Sequence, residues 1–421
     1  MLAAIAAPIL LGLLMSAGLR AAPGSGAARL IRSPWTWALL VVLAGLIIPN
    51  TYPYGDAVRF YQYVPRATGP EANAPLSFET HRLAAALLPG RLVVAFSLLS
   101  TAGGILMVPG LFRLARAIFP AEEDGARRGF FLIGMAGSAA WQLFVGYVEH
   151  YHVQLALVVW GAAFLIEQGR RGRGASSRGG LIGGAMLIGL AAAWDLSAAW
   201  LLPAVVAAGA FGAAGAPGGT AGAPGGAAGA SSSRAGVRSS RGGARGGAIA
   251  LAAALLPVGA TLALVAVLHG PPAVVSAYQG GFHPLTSANA GFVTAAEWLS
   301  PSHLLFLAND LVLVAPLAFV LAAPLVVGGR GPVPRERRSL EAALLAGSLA
   351  FAFFWNPRLG WLADWDLFAW PLFLVQALAL AAALRREPVA PRARAWLPLF
   401  ATAQSLALLF LLSNSRLGVA R

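Results

Sequence analysis

The 421-residue chain contains no cysteine. That excludes disulfides, a thiolate metal site and a cysteine nucleophile. It contains no lysine either, so all 30 basic residues are arginine. Charge is scarce: 11% of residues are charged and 58% are hydrophobic. Soluble globular domains carry roughly 25% charge. A soluble fold with so little charge would leave its surface uncovered, so much of this chain faces lipid. The 50 Gly and 28 Pro accompany long apolar runs, which excludes a disordered or collagen-like chain. Phosphate-loop, G-x-G-x-x-G, H-E-x-x-H and G-x-S-x-G patterns are all missing. ATP coupling, a nucleotide cofactor and the common hydrolase chemistries therefore have no support.

What is present is apolar sequence in span-sized pieces. A bilayer crossing needs about 20 mostly apolar residues. Twelve stretches qualify: 2–19, 34–49, 91–112, 129–146, 153–168, 180–194, 196–213, 247–269, 304–328, 341–355, 367–384 and 395–413. The expected fold is all-α: a polytopic membrane protein of about eleven to twelve transmembrane helices, with residues 1–421 as one transmembrane domain. Residues 1–19 lack a basic n-region and are expected to remain as a first span rather than act as a signal peptide.

Arginine placement orients this chain. The alternate connections 20–33, 113–128, 169–179, 214–246, 329–340 and 385–394 hold 23 of the 30 Arg. Cytoplasmic loops carry such an excess. The +14 net charge thus needs no nucleic-acid partner. The expected location is the cytoplasmic (inner) membrane, multi-pass, with both termini outside. Segment 214–246 is rich in Gly, Ala and Ser and reads as a flexible cytoplasmic linker.

The reactive residues fall on the other side. All six His, all seven Tyr and nine of the 16 acids lie on or near the outer face in this topology. The first outer loop, 50–90, is the longest. Within it, DAVRFYQYV and FETHRLAAALL each have the spacing of a short interfacial amphipathic helix.

Four sets of residues are candidates for chemistry. Asp56, in YPYGDAVRF, is placed as a general base or a sugar anchor at the mouth of a cavity, or as the N-cap of the following helix. Glu149 and His152, in GYVEHYH, share a helical face three residues apart and suit a divalent cation such as Mg²⁺ or Mn²⁺, while His150 points elsewhere. The plain alternative is a solvated loop with interfacial Tyr147 and Tyr151. Asp364 and Asp366 form a D-x-D, with Arg358 shortly before them. In an extended segment two such carboxylates share a metal ion, and an Arg there grips phosphate bidentately. Their alternative is a capped helix start within a Trp belt. Asp195 lies between two short apolar runs and terminates them, or binds substrate.

This organisation resembles the GT-C superfamily of integral-membrane glycosyltransferases. It is closest to the branch of protein mannosyltransferases and aminoarabinose transferases that use polyprenyl-phosphate sugars. The features that carry the resemblance are YPYGDAVRF after a span, GYVEHYH two spans later, and the short-helix pair GGAMLIGLAAAWDLSAAWLLPAVVAAG. It covers most of residues 34–384. The chain departs from the family in its extra first span and in Gly-Asp where many relatives have paired acids. The resemblance implies inverting transfer at the outer face, from a polyprenyl-phosphate-linked sugar to an acceptor glycan, lipid or protein. Asp56 would be the first-loop catalytic acid and Glu149 the second acidic position. His81, Arg82 and Arg358 are then the available phosphate partners. A transporter or flippase, or a polymerase or ligase of lipid-linked glycans, is the competing expectation.

Overall fold

A computed structural model of the chain describes residues 33–47, 61, 64, 74–120, 125–144, 150–171, 175–214, 232–274, 297–318, 335–355, 365–386, 402, 403 and 405. Every element among these residues is helical. In chain order they are α1 (Pro34–Ile47), α2 (Pro75–Leu87), α3 (Leu92–Ile118), α4 (Gly125–Ala136), α5 (Tyr151–Arg171), α6 (Ala175–Trp194), α7 (Leu202–Ala214), α8 (Ser232–His269), α9 (Pro301–Val314), α10 (Arg335–Phe354) and α11 (Ala369–Arg386). Three 3₁₀ segments join them, Ala139–Phe144, Leu196–Leu201 and Trp365–Phe368.

The all-α expectation holds for the described residues. Ten of the twelve apolar stretches coincide with helices, while 2–19 and most of 395–413 lie outside the described residues. Among the described residues, three helical segments are able to cross a bilayer by length and composition: Leu92–Ile118, Gly243–His269 and Asp366–Arg385. α5 and α10 are long enough but carry polar and charged residues at an end; others are short or interrupted, for reasons written in their sequences. Gly137-Ser138 separates α4 from the 3₁₀ turn that follows. Asp195 stops α6 and caps the next turn. Pro316 disfavours helical backbone at the residue before it, and α9 ends at Ala315.

The segment read as a flexible linker needs a correction. Its residues 232–246 are helical and continuous with α8; residues 215–231 lie outside the described residues. Extending a formed helix needs no new nucleus, so Ser and Gly are carried along by the Ala and Arg between them.

α3 packs on α5, α5 on α6, α6 on α8, α8 on α7, α7 on α10, and α10 on α11. The apolar window around α11 is 94% buried, whereas that of α8 is 17% buried. α11 is therefore the central helix. α8 is peripheral, with Leu256, Val267 and Leu268 exposed, as a lipid-facing helix would be.

Two helix breaks meet inside this core. Ser138 Oγ donates to the Val314 carbonyl at 2.6 Å. Gln376 of α11 donates through Nε2 to the Gly134 carbonyl at 3.1 Å and accepts from Leu317 N–H at 3.3 Å. Broken backbone away from water needs such partners. At the arginine-rich end, Glu341 of α10 takes both Arg385 guanidinium nitrogens at 2.7 Å and Arg337 Nε at 2.9 Å. Arg337 also donates to the Ile118 carbonyl at 2.7 Å. These arginines tie α3, α10 and α11 together.

Candidate functional site

The end away from the arginine-rich connections, which is the outer end in the topology expected from the arginine bias, gathers the histidines. α2 begins with Pro75, which suits the first helical turn. It buries Ser77, Phe78 and His81 against α3 and α6. His81 Nδ1–H donates to the Ser77 carbonyl at 2.8 Å. Its ring meets Phe96 of α3 edge-on at 5.1 Å and His152 of α5 at 5.9 Å. Burial pushes the His81 pKa down to about 4, against the opposing pull of the Ser77 carbonyl. The imidazole is neutral at pH 7. Any part His81 plays as a phosphate partner is then that of an uncharged ring.

His152 is fully buried between His81 and the Trp194 indole, 6.4 Å away. Only a glycine on α3 allows this. A Cβ on Gly103 would lie 2.8 Å from His152 Cδ2 and 3.2 Å from its backbone.

Asp195 is the centre of the polar network. Its Oδ1 accepts from Ser197 N–H at 2.9 Å, the capping role read from its position between two runs. Its Oδ2 lies 3.2 Å from His150 Nε2. Gln154 Nε2 donates to Ser197 Oγ at 2.8 Å and to the Asp195 carbonyl at 3.0 Å. Trp370 of α11 donates to the same Ser197 hydroxyl at 3.1 Å. The Trp194 indole donates to the His150 carbonyl. Asp195, His150 and Gln154 are all buried. With Nε2–H aimed at the carboxylate, the basic nitrogen of a neutral His150 is Nδ1. An imidazole oriented by a buried carboxylate is the arrangement of a general base.

A second cluster lies on α2 beside the first. Glu79 Oε1 is 3.1 Å from Arg82 Nη1 and 2.9 Å from His269 Nε2 at the end of α8. Arg82 also lines an open groove of about 990 Å³ together with Tyr61, Arg91, Leu92, Val93 and Val94. The groove exists because α2 turns sharply into α3 through Pro89-Gly90. Gly90 has φ +75°, which other residues adopt only under strain. Burial raises the Tyr61 pKa to about 12, so the phenol is a neutral donor.

Of the residues singled out by sequence, His81, Arg82, His152, Asp195 and Asp366 are described. The first four sit at this outer end. Asp366 is buried at the start of its 3₁₀ turn and accepts from Leu367 N–H at 3.0 Å. Asp56, Glu149, Arg358 and Asp364 lie outside the described residues. Among the described residues no three His, Asp or Glu side chains converge as a metal site. His152 lies between the His81 and Trp194 rings.

Sequence reasoning passed over His150, Gln154, Glu79, Arg91 and His269. His150 precedes α5, so helical spacing did not apply to it. The Pro89-Gly90 turn was a usable signal for Arg91. The others are joined across large sequence separations. Comparison with protein-family models, curated proteins and solved structures gives no match.

Proposed function

We propose that this chain is a membrane glycosyltransferase. It would move a sugar from a polyprenyl-phosphate donor to an acceptor hydroxyl at the outer face of the cytoplasmic membrane. The observation that carries this reading is one juxtaposition. His81, whose ring stands 5.9 Å from His152 on the helix that follows the buried His150–Asp195 pair, directly precedes Arg82 of a groove that combines two arginines with apolar walls.

The chemistry follows from the donor. A lipid phosphate is a competent leaving group, so the transfer needs no acid. It needs a base for the acceptor and positive charge at the phosphate. The acceptor oxygen forms a bond to the anomeric carbon while the bond from that carbon to the phosphate oxygen breaks. The bonding pair stays on the phosphate and the hydroxyl proton passes to the base. Displacement from the opposite face inverts the centre. Asp56 is the proposed base, Glu149 the second acid of the site, and Asp195 the residue that orients His150 in it. Arg82 and Arg91 would take the donor phosphate, with the lipid lying along Leu92, Val93 and Val94.

The test is reconstitution in lipid nanodiscs with a polyprenyl-phosphate sugar and membrane extract as acceptor source. Release of polyprenyl phosphate that is lost in Asp56→Asn supports the reading. Full release in Asp56→Asn removes Asp56 as base, and no release from the wild type under any donor counts against transfer.

A transporter remains the second reading because of the paired helix breaks at Ser138 and Ala315. Discontinuous helices are common where transporters bind substrate. Here Ser138 and Gln376 bridge both breaks with hydrogen bonds.

A further inference from the structure

The first turns of α8 carry arginines in helical register. Arg234, Arg238, Arg241 and Arg245 follow one another at intervals of four, three and four residues, the spacing of one face of an α-helix. α8 is continuous from Ser232 to His269, so one register holds across all four. Gly243, Gly247, Ala250 and Ala254 repeat that spacing and are buried. They form the packed face: a Cβ on Gly247 would press on Val206 of α7, and one on Gly189 of α6 would run into the Ala254 backbone. The two series are offset by two residues, about 200° around a helix of 3.6 residues per turn. The register therefore sets the arginines opposite the packed face. The same face continues into the membrane-length part of α8 through Ile249, Leu256 and Val267, all exposed, as Arg245 is.

These arginines have no carboxylate near them in sequence, because the chain holds no Asp or Glu between Asp195 and Glu297. Arg234 stands in the first turn of α8, where the helix dipole favours an acid and none is present. Of the described acids on the neighbouring helices, Glu167 is engaged by Arg113, and Glu341 by Arg337 and Arg385.

We propose that this face of α8 binds anionic phospholipid, with headgroup phosphates along the arginines and acyl chains along Ile249 and Leu256. In an upright helix Arg245 and Arg241 are about 6 Å apart along the axis, which matches one headgroup layer of about 5–8 Å. Arg238 and Arg234 stand further out, within about a Debye length of 8 Å from the charged surface. Phosphates held there offset the helix dipole and favour the helical form of the Gly- and Ser-rich start of α8. Lipid binding on this face is independent of sugar transfer.

The absence of native cysteine makes the measurement direct. A fluorescent donor is placed on Ala244→Cys, an exposed position beside Arg245. The full-length protein enters nanodiscs of phosphatidylcholine with a minor share of phosphatidylglycerol, and an acyl-chain acceptor is put on one lipid or the other. Comparing energy transfer to the two lipids reads the local excess of anionic lipid. The wild type should show an excess of about fivefold, the scale of an arginine at an anionic surface. Replacing Arg234, Arg238, Arg241 and Arg245 together by Gln should abolish it, and replacing all four by Lys should keep it. Arg245→Gln alone should already lower it. Inorganic phosphate should weaken it no more than sodium chloride of equal ionic strength does. Equal transfer to both lipids in the wild type, an excess that survives the glutamine substitutions, or stronger displacement by inorganic phosphate would overturn the inference.

Discussion

Asp195 Oδ2 lies 3.2 Å from His150 Nε2, while Oδ1 of the same carboxylate caps the 3₁₀ turn that begins at Leu196. One side chain therefore has a structural half and a chemical half, and substitutions separate them. Asn at 195 retains an oxygen for Ser197 N–H but offers the imidazole no charge. Asp195→Asn should express normally and lower transfer, but by less than Asp56→Asn does, because Asp195 positions His150 and does not itself take the acceptor's proton. Asp195→Ala should lose the cap as well, at about 1 kcal/mol of stability. Single-turnover transfer and thermal melting of the two variants check the separation. Undiminished transfer in Asp195→Asn, with Asp195→Ala melting lower, would reduce Asp195 to a turn residue.

His81 predicts a pH dependence of stability. Its folded pKa is about 4, against 6.5 for the free imidazole. The unfolded chain therefore binds the proton more readily, and protonation favours unfolding. Stability should be unaffected by this group above about pH 6.5. It should fall as pH drops from 6.5 toward 4, by about 3 kcal/mol at most. Melting in detergent between pH 7.5 and 5 should show the decline, and His81→Asn should flatten it. A wild-type profile that stays flat to pH 5 would contradict the burial of this ring.

Gly103 makes room for His152. In Gly103→Ala the new methyl would press on both the ring and the backbone of His152. The expected result is lost transfer with a destabilisation of about 1–3 kcal/mol, the usual range for overpacking. Transfer at wild-type rate in a well-folded Gly103→Ala protein would show that the position of His152 is unimportant.

Much of this architecture is readable from the sequence, and the parts that are not share a cause. FETHRLAAALL shows the α2 helix through its spacing, and that helix begins where Pro75 suits a first turn. Asp195 announces the break it makes, whereas the break before Pro316 falls inside 304–328, which reads as one span. Local chemistry decides each of these. By contrast, Glu79 meets His269 only because α2 lies against the outer end of α8. His150 meets Asp195 because α5 packs along α6. Such contacts depend on which helices are neighbours, and no periodicity within one helix encodes that. The start of α8 was obscured differently. Its Gly/Ser-rich composition looks like a tether, and only continuity with the apolar half makes it helical.

Sidedness is testable in a chain that has no cysteine to remove. Leu83 is exposed on α2 and Arg245 is exposed near the start of the apolar part of α8. In intact cells an impermeant thiol reagent should label Leu83→Cys and spare Arg245→Cys until the membrane is opened. The opposite pattern would move the histidine cluster to the cytoplasm.

The central claim is sugar transfer from a lipid-linked donor at the outer face. Mass spectrometry of envelope glycans and lipid-linked sugars, in cells with and without the protein, tests it most directly. The account predicts that cells lacking the protein accumulate one sugar-loaded polyprenyl phosphate and that an envelope glycan, lipid or protein loses that same sugar. Asp56→Asn should reproduce both changes. Unchanged glycans and unchanged donor levels, in cells shown to express the wild-type protein, would contradict it.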